Sequence, residues 1–81
     1  PGTETVFAKD FTLIVGMEFD NDGNLLVTDY GTKKLIKISP SGEKSEIATI
    51  ESVADVVVDE NNVIYALSES GKIYKIEPGK L

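Results

Sequence analysis

The chain has 81 residues, so it forms at most one small domain. It has no cysteine, which excludes disulfides and thiol catalysis. It has no histidine, which removes the commonest zinc ligand and the commonest general base. Its net charge is −6, and its basic residues are all lysines, which disfavours binding to nucleic-acid phosphates or to anionic membranes. We therefore expect neither a nucleic-acid partner nor a membrane partner.

Short apolar segments separated by turn residues run along the whole chain and predict strands. Eight strands are predicted, at residues 5–8, 14–20, 25–29, 34–39, 44–50, 54–59, 63–67 and 72–77. Gly23 and Gly42 stand where tight hairpins need a positive φ, and Pro40 and Pro78 follow strands. The sequence therefore predicts an all-β protein built as an antiparallel meander.

The chain contains one pattern twice, at residues 15–40 and 54–78. Asp20 matches Asp59 at an offset of 39, whereas Ile38 matches Ile76 at an offset of 38. The change of offset predicts that the first hairpin turn is one residue longer in the first copy. A period near 40 with four strands per copy is typical of β-propeller blades.

The strands of each blade are lettered A to D from the centre of the ring outward. Residues 4–10 resemble residues 45–51 in pattern, which predicts an additional D strand at the start and the order D-ABCD-ABC. The predicted units are a closing strand at 1–10, blade one at 14–50, and strands A to C of blade two at 54–78. Two blades leave apolar sheet faces and a sheet edge uncovered. We therefore expect the closing strand to complete blade two of a neighbouring chain, head to tail.

One stretch of the first copy, residues 20–42, carries a family resemblance. Its motif consists of Asp22, Gly23 and Asn24, an apolar strand, Thr28 and Asp29, and then Lys34 and Ile36 after a short loop. This stretch resembles a repeat of the NHL type and is similar to the streptogramin-lyase and gluconolactonase-like six-bladed propellers. The resemblance implies six blades, and hence a homotrimer of two-blade chains. It implies no activity, since this scaffold hosts binding proteins and enzymes alike.

The turn at residues 20–24 has alternating acidic residues and a glycine, as calcium loops do. An EF-hand loop also needs glycine at its sixth position, where Leu25 stands, and helices on both sides. The alternative is a hairpin turn stabilised by the side chain of Asp20, which the short polar residues favour.

Four residues at the loop between strands B and C are candidates for a ligand-binding face: Asp29, Tyr30, Lys33 and Lys34. The B–C loops of a propeller gather with the D–A loops around one mouth of the central channel. A small-ligand or protein partner is expected there if the ring binds one. The alternative is structural, with Asp29 accepting hydrogen bonds from loop N–H groups and Lys34 solvated.

Glu18 and Asp55 lie on the innermost strands and are candidates for a cation site repeated around the channel. The alternative is that they line a water-filled acidic channel.

The residues predict no catalytic site, because the serines fall in turns without an accompanying base. The sequence thus favours a non-enzymatic propeller scaffold or binding module that assembles with itself and holds no cofactor. The alternative is a fragment of a larger six-bladed enzyme, a metal-dependent lactonase or a lyase-like protein.

Overall fold

A computed structural model describes residues 2–77 and shows two antiparallel sheets, with no helix among these residues. Sheet one has the order β1-β2-β3-β4, and sheet two has the order β5-β6-β7. The strands are β1 (Ile14–Phe19), β2 (Leu25–Asp29), β3 (Lys34–Ile38), β4 (Lys44–Thr49), β5 (Val53–Val58), β6 (Ile64–Ser68) and β7 (Ile73–Ile76). The prediction of an all-β antiparallel protein is confirmed. Residues 2–77 offer no helical segment that is long and apolar enough to cross a membrane.

The hydrophobic core lies between the two sheets, because alternate residues of each strand point to opposite faces. The back face of sheet one, which includes Leu26 and Leu35, packs against the front face of sheet two, which includes Val56 and Ala66. These four side chains are buried. Burial of apolar surface between the sheets is therefore the main stabilising contribution within the chain.

The first three strands of sheet one and the three strands of sheet two repeat each other position by position in their ladders. Met17 pairs with Val27 in sheet one as Val56 pairs with Ala66 in sheet two. The front face of sheet one includes Ile14, Met17, Leu25, Val27 and Ile38, and their counterparts in sheet two are Val53, Val56, Ile64, Ala66 and Ile76. The doubled sequence thus corresponds to two equivalent sheets.

The first hairpin turn has the same length in both copies, which corrects the expectation of a longer turn in the first. The N–H of Asp20 donates to the carbonyl of Asn24 over 2.9 Å, and that of Asp59 donates to the carbonyl of Val63 over 3.0 Å. Gly23 has a φ of 85°, and Asn62, at the same place in the second turn, has a φ of 65°. Asparagine tolerates this left-handed conformation, so the turn survives without glycine.

The second copy is instead one residue shorter in the loop between its second and third strands. In sheet one this loop joins the paired residues Asp29 and Lys34. In sheet two it joins Ser68 and Lys72, where the N–H of Ser68 donates to the carbonyl of Lys72. The second loop is therefore shorter by one residue, and this changes the offset from 39 to 38.

The N-terminal residues 2–13 form no ladder, so the strand predicted at 5–8 is not a strand in the single chain. The prediction assigned this strand to a sheet of another chain, and pairing of that kind stays a prediction. Pro1 and Pro78, which bound the predicted units 1–10 and 54–78, lie outside the described residues.

The two hairpin turns are joined by reciprocal hydrogen bonds, which give a first testable prediction. The N–H of Asn21 donates to Oδ1 of Asn62 over 2.8 Å, and Nδ2 of Asn62 donates to Oδ2 of Asp22 over 3.1 Å. We expect Asn62→Ala to lower the free energy of unfolding by about 1–2 kcal/mol, since it removes both bonds and the residue suited to a positive φ.

Asn61→Ala is the matched control for this substitution, since Asn61 is the exposed neighbour of Asn62. We expect the control to change stability by less than about 0.5 kcal/mol. Urea denaturation followed by circular dichroism measures both variants, and equal losses would contradict a role for the paired turns.

Candidate functional site

The carboxylate of Asp29 organises the loops at one end of sheet one. Oδ2 accepts the N–H of Thr12 over 2.8 Å, and Oδ1 accepts the N–H groups of Leu13 over 2.8 Å and of Gly31 over 3.0 Å. Asp29 is only 1% exposed. Its side chain therefore fixes the approach to β1 against the β2–β3 loop, which is the structural alternative raised from the sequence.

The charge of Asp29 is stabilised in spite of its burial. Burial by itself raises the pKa of this carboxyl, but the hydrogen bonds from the N–H groups of Thr12, Leu13, Gly31 and Thr32 outweigh burial and hold the pKa below its ordinary value. The group is thus an ionised structural anchor at neutral pH.

Ser68 takes the place of Asp29 in sheet two and joins the corresponding loops with a neutral side chain. Its hydroxyl donates to the carbonyl of Glu51 over 2.7 Å, and its oxygen accepts the N–H of Ser70 over 3.2 Å. The same junction is therefore built twice, once with a carboxylate and once with a hydroxyl.

The other three residues of the candidate binding face lie around this junction. Tyr30 is exposed, Lys33 pairs with Glu51 over 3.2 Å, and Lys34 pairs with Glu46 over 3.1 Å. Exposed ion pairs of this kind contribute little to stability. Both lysines have acidic neighbours, so the loop carries no concentrated positive charge. A ligand-binding role for Tyr30, Lys33 and Lys34 stays a prediction.

An open cleft of about 340 Å³ lies beside these residues on sheet one. It is lined by Asp10, Asp29 and Glu46 together with Lys34 and Lys44, besides three uncharged residues. Acidic and basic groups are mixed along its walls, and the carboxylate of Asp29 is already hydrogen-bonded. The cleft therefore indicates no particular class of ligand.

Glu18 and Asp55 do not occupy equivalent positions in the two sheets. The ladder pairs Glu18 with Leu26, whereas Asp55 pairs with Leu67 and corresponds to Gly16. Each carboxylate accepts the N–H of the next residue in the chain. Within residues 2–77, no group of three or more acidic side chains is placed to hold a metal ion. A cation site at Glu18 and Asp55 stays a prediction.

Gly16 is required by the close approach of β1 and β5, the first strands of the two sheets. A Cβ atom at Gly16 would lie 2.5 Å from Oδ1 of Asp55 and 3.0 Å from its Cα atom. Only glycine lets β1 and β5 come this close. The side chain of Asp55 therefore helps to set the spacing between the two sheets.

The acidic turn at residues 20–24 has the hairpin geometry rather than that of a calcium loop. Oδ1 of Asp20 accepts the N–H groups of Asp22 and Asn24, and Oδ2 accepts the side-chain amide of Asn24. Burial raises the pKa of Asp20. These hydrogen bonds and the charge of Lys37 lower the pKa by more than burial raises it, so the net shift is downward. The carboxylate is engaged by its own turn, as the turn interpretation predicts.

The carboxylate of Asp59 accepts hydrogen bonds within the second turn in the same way. The N–H of Val63 is the first cause that lowers its pKa, burial opposes it, and the N–H of Asn61 and the hydroxyl of Tyr65 lower it further. The two aspartates thus accept equivalent backbone N–H groups in their turns, although only the first turn has glycine.

The N-terminal segment, residues 6–11, lies beside the front face of sheet one, a position that the sequence did not reveal. An apolar cavity of about 210 Å³ separates part of this segment, including Phe7 and Phe11, from the front face of sheet one. Nζ of Lys44 donates to the carbonyl of Lys9 over 2.8 Å and lies 4.6 Å from the centre of the Phe11 ring. The apolar residues of the segment indicate that it packs against another apolar surface, but the same residues fit a strand equally well.

These features define a small all-β protein of two equivalent, packed antiparallel sheets, with hydrogen-bonded structural carboxylates at its loops. Comparison of the chain with models of known protein families and with curated proteins gave no match.

Proposed function

We propose that this chain is a two-blade β-propeller module of the NHL type, which assembles head to tail into a non-enzymatic scaffold or binding ring. Three copies supply the six blades that the resemblance implies. The sheets are the blades, and the N-terminal segment of each chain becomes the fourth strand of sheet two in its neighbour.

The equivalence of the two sheets is the observation that carries this proposal. The front face of sheet two is covered by sheet one, and there Val56 is only 2% exposed. Its counterpart on sheet one, Met17, is 59% exposed. Of these two equivalent positions, Val56 is thus covered by a packed sheet, whereas Met17 is only partly covered. A further blade, stacked as sheet one stacks on sheet two, covers the second position.

The back face of sheet two presents the surface that fits this role. Ile73 corresponds to Leu35 of sheet one, as the pairs Thr28–Leu35 and Leu67–Ile73 place them alike. Leu35 is fully buried, whereas Ile73 is 69% exposed and Val57 is exposed on the same face. Within the chain, the back face of sheet one packs on the front face of sheet two. The back face of sheet two can therefore pack in the same way on the front face of sheet one in another chain, which is a head-to-tail contact.

The edge of sheet two supports the exchange of a strand. Sheet one has four strands, whereas the described part of sheet two has three and ends at β7. An unpaired strand edge offers N–H and C=O groups to another chain. Residues 4–10 have the pattern of β4 and are outside both ladders, so they fit this edge in a neighbour.

Oligomeric state is the direct test of the proposal. We expect sedimentation equilibrium of the full chain at micromolar concentrations to give three times its mass of 8.8 kDa. Deletion of residues 1–9 removes the exchanged strand, so we expect it to weaken this assembly strongly.

A folded monomer at all concentrations would contradict the proposal and favour the alternative, a part of a larger metal-dependent lactonase or lyase-like propeller. Calorimetric titration with Ca²⁺ or Mg²⁺ then distinguishes the two, because the enzyme alternative requires a divalent ion. Assembly that survives the deletion unchanged would leave the ring but exclude the strand exchange.

A further inference from the structure

The N-terminal segment occupies the place of a preceding blade on sheet one. Val27 and Ile38, on the front face, are each only 1% exposed although no sheet covers them. Their counterparts Ala66 and Ile76 belong to the face that sheet one covers. The apolar cavity under the segment is lined on the other side by five residues of the front face of sheet one: Ile14, Met17, Leu25, Val27 and Ile38. The segment therefore covers the same positions that a stacked sheet covers in sheet two.

This cover is incomplete, as expected of a substitute for a whole sheet. Ile14 and Met17 of the front face remain 44% and 59% exposed, and Phe7 of the segment is itself 49% exposed. A stacked blade buries more apolar surface than one extended segment, so it is the stronger partner for this face.

A small number of polar contacts hold the segment in place. Lys44 contributes its hydrogen bond to the carbonyl of Lys9 and its contact with the Phe11 ring. Asp29 holds the N–H groups of Thr12 and Leu13, just after the segment. Asp10, between these two attachments, has a φ of 72°. Residues 6–11 are thus attached to sheet one through Lys44, and the chain that follows them is attached through Asp29.

We propose that residues 6–11 form an intramolecular cap, which protects the front face of sheet one in the single chain and must leave it before a second copy can stack there. This inference rests on the proposed function, because the released cap contains residues 6–10 of the strand, residues 4–10, that pairs with β7 of the neighbour. The cap and the neighbouring blade compete for one surface, so the cap sets the concentration at which the ring assembles.

Lys44→Ala is the variant that tests this competition. It removes the two contacts of Lys44 with the cap, so we expect assembly at roughly five-fold lower concentration than in the original chain. Lys34→Ala is the matched control: Lys34 lies on the same face of sheet one and bonds to Glu46 and Thr49. We expect the control to assemble at the original concentration.

Sedimentation over a concentration series measures all three chains. If all three assemble at the same concentration, or if Lys44→Ala assembles at a higher one, the cap does not compete and the inference is wrong, while the proposed function stands. If none of them assembles, the proposed function fails, and the competition fails with it.

A second measurement follows the cap itself in the original chain. Met17 is the only methionine and lies on the front face, so its labelled methyl group reports on that surface by NMR. In dilute solution we expect Overhauser contacts from this methyl to the rings of Phe7 or Phe11. On assembly, these contacts should be replaced by contacts to a differently labelled second copy. Contacts to the same chain's rings that persist in the assembled state would overturn the inference.

Discussion

Ile73→Asp should weaken self-assembly by more than about 100-fold, because it places a carboxylate where the proposed stacking buries an apolar side chain. In the single chain Ile73 is 69% exposed, so the substitution should leave its folding nearly unchanged, within about 0.5 kcal/mol. Sedimentation at several concentrations measures the first effect, and urea denaturation of the dilute chain measures the second.

Two further variants separate burial at the interface from other consequences of the substitution. Ile73→Leu keeps the side chain apolar and should assemble as the original chain does. Tyr30→Asp introduces the same charge at an exposed residue of the β2–β3 loop, away from the sheet faces, and should also assemble. Normal assembly of Ile73→Asp would show that the back face of sheet two is not the contact surface.

Asp29→Asn should lower the free energy of unfolding by about 2–3 kcal/mol at neutral pH, because an amide cannot accept all the backbone N–H groups that the carboxylate accepts. The amide oxygen can still accept the N–H groups of Leu13 and Gly31. The amide nitrogen would then face the N–H of Thr12, and two donors cannot form a hydrogen bond. For a domain of this size, such a loss is a large part of the total stability. Thermal and urea denaturation measure it.

The pH dependence distinguishes loss of the charge from a general disturbance of the loop. Since the folded-state pKa of Asp29 is depressed, its contribution is complete above the unfolded-state pKa of about 3.9 and is lost as pH falls through the folded-state value. The stability of the original chain should therefore decline from about pH 5 downward. Asp20 and Asp59 add to this decline, because their pKa values are also lowered.

The difference between the original chain and Asp29→Asn isolates the contribution of Asp29. We expect the two stability curves to converge in acid and to differ by a constant amount above about pH 5, where the contribution of Asp29 is complete. Asp10→Asn removes the same charge from an exposed residue of the N-terminal segment and serves as the control. A constant difference across the whole pH range would contradict the role of the ionised carboxylate.

The first hairpin turns of the two copies have equal length, although the sequence predicts a shorter turn in the second copy. The first turn has Gly23 and the second has no glycine, which favours a shorter second turn when the sequence is considered alone. Asn62 adopts the same left-handed conformation, and the residue is lost in the next loop instead. The hydrogen bonds between Asn21 and Asn62 were not predictable, because they depend on how closely the two sheets pack.

The sequence by itself determined the seven strands of the two sheets, their antiparallel order and the turn chemistry of Asp20, because these follow from local alternation and short polar residues. Tertiary structure decided which carboxylates are buried anchors and where the N-terminal segment lies. Both depend on contacts between residues distant in the chain: Asp29 with Thr12, and the segment with the front face of sheet one. An extended apolar segment can pair with a strand edge or cover a sheet face, and only the available partner surface decides between them.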